Sequence, residues 1–351
     1  MTIKKAIAIA LLISLEISSL FAEGAKETYA KETAPAMRVY KDSLGREVTI
    51  PANIERVAPS GNVAQLAIYA VAPEKMVGWS SKLSDAAMAT LLPEIAKLPT
   101  FGTFYGKKAN LNKEALIAAN PDVVIDVGKI KGGVEAMTKQ LDALSAEIGI
   151  PVIFVEGYFT NADEMFISLG DILGKEKEAK ALSEYTRKAM DAAEDNKDKL
   201  AYSFYYSSAQ DGLSAIESGS FHAEVIEFAG LKNVVPSTFS KSNANTSLEN
   251  LFVWDPDVIL LSSEAAVKNA LSDKAWSELR AVKDGRVYLI PTMPYSFLDT
   301  PPATNRIIGI YWLIDTLVDD ATVYIEKEVK EYYSLFYHKD LTDSELKAIL
   351  K

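Results

Sequence analysis

The sequence predicts an α/β protein: two similar lobes built on parallel sheets, joined by a long helical stretch. Three observations predict it. Short apolar, β-branched runs alternate with amphipathic stretches, the pattern of strands buried between helices. One strand–helix unit recurs 135 residues later, at Glu114 and again at Glu249. Between the copies, Asp163 to Leu173 and Glu176 to Asp195 form the most extended helical pattern of the chain, hinged at Gly174.

The elements follow in order. The turn Asp42-Ser43-Leu44-Gly45 leads into a strand over Arg46 to Pro51, and Ile54 to Ala58 is the next strand. Pro59-Ser60-Gly61-Asn62 ends it, and Val63 to Ala72 reads as a helix. Met76 to Trp79 is a short apolar strand. Asn112 to Ala119 is a helix, and Pro121-Asp122 opens the strand Val123 to Val127. Glu135 to Ile148 is an amphipathic helix, followed by the strand Val152 to Val155. After Lys199 the alternation restarts, through Ala201 to Tyr206, Ala223 to Ala229, Leu248 to Trp254, Val258 to Leu261 and Val287 to Ile290.

The repeat has physical content. Glu114-Ala115-Leu116 precedes Pro121-Asp122-Val123, and Glu249-Asn250-Leu251 precedes Pro256-Asp257-Val258, at equal spacing. In each copy a proline stops the helix and an aspartate opens a buried strand. Two facing lobes of this kind form a cleft beyond the C-terminal strand ends.

The N-terminus reads as an export signal over residues 1–22. Lys4 and Lys5 precede the apolar run Ala6 to Leu15, and Ser18, Ser19 and Ala22 supply small residues for cleavage. The run is too short to span a bilayer. Residues 23–37 read as a flexible leader. The remaining expected divisions are a first lobe over 38–158, a connecting helix over 159–197, and a second lobe with a helical tail over 198–351. The expected location is periplasmic.

Composition excludes much chemistry. The 351 residues contain no cysteine and two histidines, so disulfides, thiolate metal sites, iron–sulfur clusters, Cys nucleophiles and a lipid-modified Cys are ruled out. The net charge of −11 opposes a general nucleic-acid binder. No Gly-x-Gly-x-x-Gly, phosphate-binding loop or Gly-x-Ser-x-Gly elbow occurs. Gly102 to Lys107 has the wrong spacing for a phosphate loop. His338 reads as structural, which leaves His222 as the one histidine open to a role.

Several segments together resemble one family. Asp42 to Pro51 followed by Ile54-Glu55-Arg56-Val57 is similar to the N-terminus of metal-chelate substrate-binding proteins of ABC importers. So are the two Glu…Pro-Asp-Val copies, Leu173-Gly174-Lys175-Glu176, Ser220-Phe221 with Ala229-Gly230 and Asn233, Pro301-Pro302-Ala303-Thr304-Asn305-Arg306 with Trp312-Leu313, and Tyr332-Tyr333-x-Leu335-Phe336-Tyr337. The resemblance covers about residues 38–350. It implies the class III periplasmic binding protein fold, with two Rossmann-like lobes on a single interlobe helix. It implies a transported ligand rather than a cofactor: an iron complex of the siderophore or haem type, cobalamin, or, in one branch, molybdate or tungstate. The partners implied are a membrane permease and its ATPase, with the binding protein itself a monomer.

The resemblance also assigns roles. One glutamate per lobe docks onto permease arginines in this family, and the matching positions are Glu114 and Glu249. Their alternative role is as first-turn residues that complement the helix dipole. Ser60 and Asn62 stand at a strand-to-helix turn suited to an anion, or to helix capping. Trp79 is placed against the cleft or in the core. Tyr105, with Phe104 and Lys107, lies in a ligand loop or a solvated turn, and Lys129 and Lys131, near Gly132-Gly133, add positive charge to the site or are solvated. Ser220, Phe221 and His222 form a loop facing the cleft, where His222 ligates a metal, bonds an oxyanion or caps a helix. Tyr295 and Arg306 flank a Pro-Pro loop, and Arg306 either clamps an oxyanion or forms a structural salt bridge. A periplasmic enzyme or sensor with His222 as general base is the alternative function, though no motif supports it.

Overall fold

Asp42 organises the entry to the fold. In the computed structural model, which describes residues 36–104, 109–239 and 245–351, strands β1 (Met37–Lys41) and β2 (Glu47–Pro51) form an antiparallel hairpin. Its turn wraps around the buried Asp42 carboxylate, which accepts from the Leu44 and Arg46 amides, each at 3.0 Å. The same carboxylate accepts from Arg46 Nη2 at 2.6 Å and from the Phe154 amide at 3.2 Å. Arg46 in turn donates to the Val152 carbonyl at 2.8 Å. The Asp-Ser-Leu-Gly-Arg motif therefore pins the hairpin to the first sheet, and Gly45 supplies the positive φ of +80° that the turn needs. Strand β1 was not expected; its Met37 falls where the leader was placed. The expected signal segment, residues 1–22, and the leader up to 35 lie outside the described residues.

Strands β3 (Val57–Pro59), β4 (Val123–Gly128) and β5 (Val152–Glu156) make a parallel three-stranded sheet in that order. Helix α1 (Asn62–Val71) leaves β3 through an extended Gly61. Short helices α2 (Asp85–Thr90), α3 (Pro93–Ala96) and α4 (Lys113–Ala118) follow, and α5 (Val134–Ile148) returns from β4 to β5. Met76 to Trp79 does not make the expected strand. It forms only single bridges, Val57 to Met76 and Trp79 to Thr100, and the Phe101 ring packs onto Gly78 where a side chain would otherwise stand.

Helices α6 (Ala162–Leu173) and α7 (Glu176–Asn196) meet at Gly174, whose φ of +63° closes α6. The second sheet is also wholly parallel, in the order β7-β6-β8-β9, from β6 (Ser203–Ser207), β7 (Lys232–Asn233), β8 (Val258–Leu261) and β9 (Val287–Leu289). Helix α8 (Glu224–Phe228) precedes β7, and α9 (Leu248–Trp254) feeds β8. Helices α10 (Glu264–Ser272) and α11 (Arg280–Lys283) lead to β9. Helices α12 (Arg306–Leu317), α13 (Ile325–Tyr337) and α14 (Asp343–Ile349) end the chain.

One apolar core joins both sheets. It contains Val57, Ile125 and Ile153 from the first sheet, Phe204, Val258 and Leu260 from the second, and the packed faces of α1, α6, α7, α12 and α13. Each sheet covers its other face separately, the first with α5 residues such as Leu141 and the second with Trp276 and Ala266. Residues from Met37 onward accordingly form a single compact unit. Nearly every residue of α12 is buried, from Arg306 to Leu317, so it lacks the one-sided pattern that marks a surface helix. Among the described residues no helix is long and apolar enough to cross a membrane.

Candidate functional site

A cleft of about 480 Å³ opens between the two sheets. Asn62 and Gln65 of α1, with Ser81, Lys82 and Ser84, line its first wall. Ser208, Ser262, Thr292, Tyr295, Ser296 and Thr300 line the second. Most of these side chains end in a hydroxyl, and among the described residues Lys82 carries the one formal charge on the lining. Parallel strands end at the second wall, since Ser208 follows β6 and Ser262 follows β8. The cleft therefore sits at the C-terminal strand ends, where such sheets bind ligands.

Gln65 builds the first wall. Its Oε1 accepts from the Ser80 amide at 3.0 Å, the Ser80 hydroxyl at 2.8 Å and the Ser81 amide at 3.2 Å. Its Nε2 donates to the Ser81 hydroxyl at 3.2 Å. One buried amide thus holds the Ser80–Lys82 segment against α1. On the opposite wall the Tyr295 hydroxyl is buried and has no hydrogen-bond partner among the described residues. Burial pushes this phenol well above its ordinary value, so it stays protonated and offers a donor. An unsatisfied donor at a cavity wall is costly unless a ligand or water takes it.

The second-sheet loop carrying His222 is clamped beside this wall. His222 Nδ1 donates to Asp299 Oδ1 at 2.7 Å, and Tyr206 donates its hydroxyl to Asp299 Oδ2 at 3.1 Å. The Asp299 hydrogen bond raises the imidazole pKa, against the opposing effect of its partial burial. Orientation by Asp299 leaves Nε2 unengaged on a half-exposed ring. His222 does not itself wall the cavity, but Thr300, next to its partner, does.

Of the two roles open to Arg306, the structure shows the structural salt bridge rather than a clamp facing the cleft. It is 3% exposed and donates to the Phe221 carbonyl at 3.1 Å, Glu224 at 3.0 Å and the Ala303 carbonyl at 3.4 Å. Glu224 also accepts from Lys129 Nζ at 2.8 Å. Lys129 follows β4, so this cluster straps one half of the fold to the other. The Phe221 ring lies between the two cations, 4.7 Å from Lys129 and 4.6 Å from Arg306. The structure thus spends Arg306 on internal bonds that a buried guanidinium requires, and Phe221 is part of that strap.

The other expected site residues divide. Asn62 and Tyr295 line the cleft. Ser60 does not cap α1; its hydroxyl donates to the buried Asp126 carboxylate, and burial raises the Asp126 pKa. Trp79 is a core residue rather than a cleft residue: it is 1% exposed, packs on Tyr69 and donates to the Ile95 carbonyl at 2.9 Å. The Ser220 hydroxyl accepts from the His222 amide at 3.3 Å, shaping its own loop. Tyr105 and Lys107 lie outside the described residues. His338 sits in the core contact with Tyr69, its Nε2 bonded to the Tyr69 carbonyl at 3.1 Å. Gln65, Ser81, Lys82, Ser84, Ser208, Ser262 and Thr292 were not expected. A signal existed for several: the Ser-Ser pairs at 80–81, 207–208 and 262–263 each close an apolar run.

Among the described residues no group of three or more His, Asp or Glu gathers to hold a metal ion. A family model described as "Periplasmic binding protein" matches residues 71–294. The chain belongs to this family. The binding protein is 26% identical to the molybdate-binding protein MolA of Haemophilus influenzae, over 87% of this chain and 92% of the relative. It is 27% identical to the iron-uptake system-binding protein of Bacillus subtilis, over 81% and 90%. Among solved structures, a solute-binding protein of an ABC transporter from Sulfurospirillum deleyianum superposes with a TM-score of 0.77 at 27% identity, over 89% of this chain and 98% of that one. The binding protein is therefore an ABC-type periplasmic solute-binding protein. Members of this family bind transported solutes and are not enzymes.

Proposed function

We propose that this protein captures an anionic, oxygen-rich metal complex, with an iron chelate as the lead ligand, and delivers it to its permease. One observation carries the reading: a roughly 480 Å³ cleft whose described lining is mainly hydroxyls and side-chain amides, with Lys82 as its one charged residue. Hydroxyl and amide donors match carboxylate, catecholate or oxo oxygens. The cavity is roomy for a bare tetraoxyanion, since a water claims only about 30 Å³, and it suits a small chelate. The second reading is molybdate or tungstate. Its support is the absence of carboxylates from the described lining together with the likeness to a molybdate-binding relative.

The remaining parts of the reading concern export and delivery. Residues 1–22 carry the periplasmic export signal, and the chain acts as two lobes, 38–158 and 198–351, across the 159–197 helical connection. Glu114 and Glu249 dock the loaded protein onto permease arginines. Both carboxylates are exposed and neither is paired with a basic side chain among the described residues.

Thermal scans test the ligand. Ferric citrate, a ferric catecholate, haem, cobalamin, molybdate and tungstate are compared on the purified protein. A ligand at 100 times its Kd stabilises by about 2.7 kcal/mol. Stabilisation by a ferric chelate supports the lead reading, and stabilisation by molybdate or tungstate alone replaces it. Tight haem binding would contradict both.

A further inference from the structure

Each copy of the repeat displays an apolar side chain one helical turn after its glutamate. Ile117 follows Glu114 by three residues and is 46% exposed; Phe252 follows Glu249 by three and is 44% exposed. Val253, next along, is 81% exposed. Between glutamate and apolar residue, Leu116 and Leu251 point inward and are fully buried. Residues three and four apart share a helix face. On α4 and on α9, a carboxylate and an apolar group therefore face solvent together while the leucine anchors the helix. Single exposed apolar residues are ordinary, but here the same offset recurs at both copies.

We propose that Ile117 on one side and Phe252 with Val253 on the other are the apolar halves of two docking points for the membrane permease. Each packs beside a permease arginine or lysine that pairs with Glu114 or Glu249. The inference rests on the docking role of those glutamates and adds the contacts that make it work. Exposed carboxylates with no basic side chain paired to them among the described residues call for cations on the partner. An ion pair open to water contributes little, and an apolar neighbour that excludes water strengthens it. The two helices feed internal strands, β4 and β8, at equivalent places in their sheets, so the partner must offer two similar sites. The points are unequal, because Phe252 with Val253 presents more apolar surface than Ile117. Docking is then dominated by the second half, since buried aromatic residues carry much of an interface's affinity.

The test uses the full chain and its permease–ATPase complex in nanodiscs. Variants are Ile117→Ser, Phe252→Ser, Val253→Ser and the charge reversals Glu114→Lys and Glu249→Lys. Permease affinity, ligand-induced thermal shift and Tm are measured for each. Phe252→Ser should weaken permease binding by roughly 10- to 100-fold and Ile117→Ser by less, with ligand response and Tm unchanged. Val253→Ser, at a side chain that packs against little, keeps the test valid if Phe252→Ser misfolds. If the apolar variants bind the permease as wild type while the charge reversals do not, this inference falls and the docking role stands. If the charge reversals also bind normally, the docking role falls with it. Loss of self-association in the Phe252→Ser protein, with permease binding intact, would make a second copy the occupant and overturn the proposal.

Discussion

Asn120 and Asp255 hold the same left-handed backbone, with φ of +44° and +42°, each one residue before the proline of its repeat copy. Asn and Asp tolerate this conformation better than most residues. The match continues outward. Asp122 accepts from the Glu55 and Arg56 amides at 2.7 and 2.9 Å, and Asp257 accepts from the Ser203 amide at 2.8 Å and its hydroxyl at 2.6 Å. Each aspartate thus ties its own strand to the start of the neighbouring one. An arginine closes each copy: Arg56 donates to the Asn120 carbonyl and Arg280 to the Asp255 carbonyl. The sequence repeat is a structural repeat.

The aspartates of this unit should matter for stability. Burial opposes the charge on Asp257, but the Ser203 hydroxyl and amide and Arg280 outweigh it and hold the carboxyl at about 2. A depressed carboxylate stabilises the fold above its ordinary value near 3.8, and that contribution fades as pH falls toward 2. Asp257→Ala should cost about 1–3 kcal/mol at pH 7, because it strands the Ser203 amide. Urea denaturation at pH 7 and pH 3 checks this. The deficit of the variant should shrink at the lower pH.

His222 predicts a pH response in the opposite sense. Its pKa is raised by Asp299. A raised histidine contributes stability fully below its ordinary value of 6.5 and loses it as pH rises through the raised value. Tm should therefore contain a component that declines as pH climbs above 6.5. His222→Gln should remove that component while leaving the fold intact. A Tm profile identical for both proteins across this range would contradict the charged pairing.

Arg306→Met should be among the most damaging single changes. It removes the buried donor shared by Phe221, Ala303 and Glu224, leaving carbonyls and a carboxylate under-satisfied. Breaking a buried pair in this way costs about 3–5 kcal/mol. Lys129→Met should cost less, because Lys129 is partly exposed, and its effect should diminish at high salt. Guanidinium-free denaturation in urea at low and high NaCl separates the two.

Lys82 is the charged residue of the cleft wall and is exposed. Lys82→Met should weaken an anionic ligand by about 1.4- to fivefold, in line with the roughly 0.2–1 kcal/mol of an exposed ion pair. The wild-type affinity should fall with added salt more steeply than that of the variant. Calorimetric titration with the ligand found in the thermal scans measures both.

Local patterns made much of the fold legible. The helix over 113–118 was readable from Asn112 at its cap and Pro121 beyond its end, and the parallel strands from β-branched runs such as Val123 to Val127. Strand β1 was not legible, because Met37 to Lys41 alternates weakly and its pairing partner lies across the Asp42 turn. Of the cleft, Asn62 and Tyr295 were readable from their places beside strand ends and prolines. Gln65 was not, since a glutamine inside a helical pattern looks like any other polar residue.

The sequence by itself determined the α/β class, the repeat, the family and the lack of cysteine chemistry, because each is written in composition or in residues close along the chain. Only the tertiary structure decided which polar groups face the cleft. Trp79 and Arg306 carry the chemistry of binding residues, yet burial turns one into core and the other into a strap. Which way a side chain points depends on partners such as Ile95 and Glu224, and no local pattern encodes those pairings. The helical layer that merges both sheets into one core arises in the same way, from contacts between distant segments.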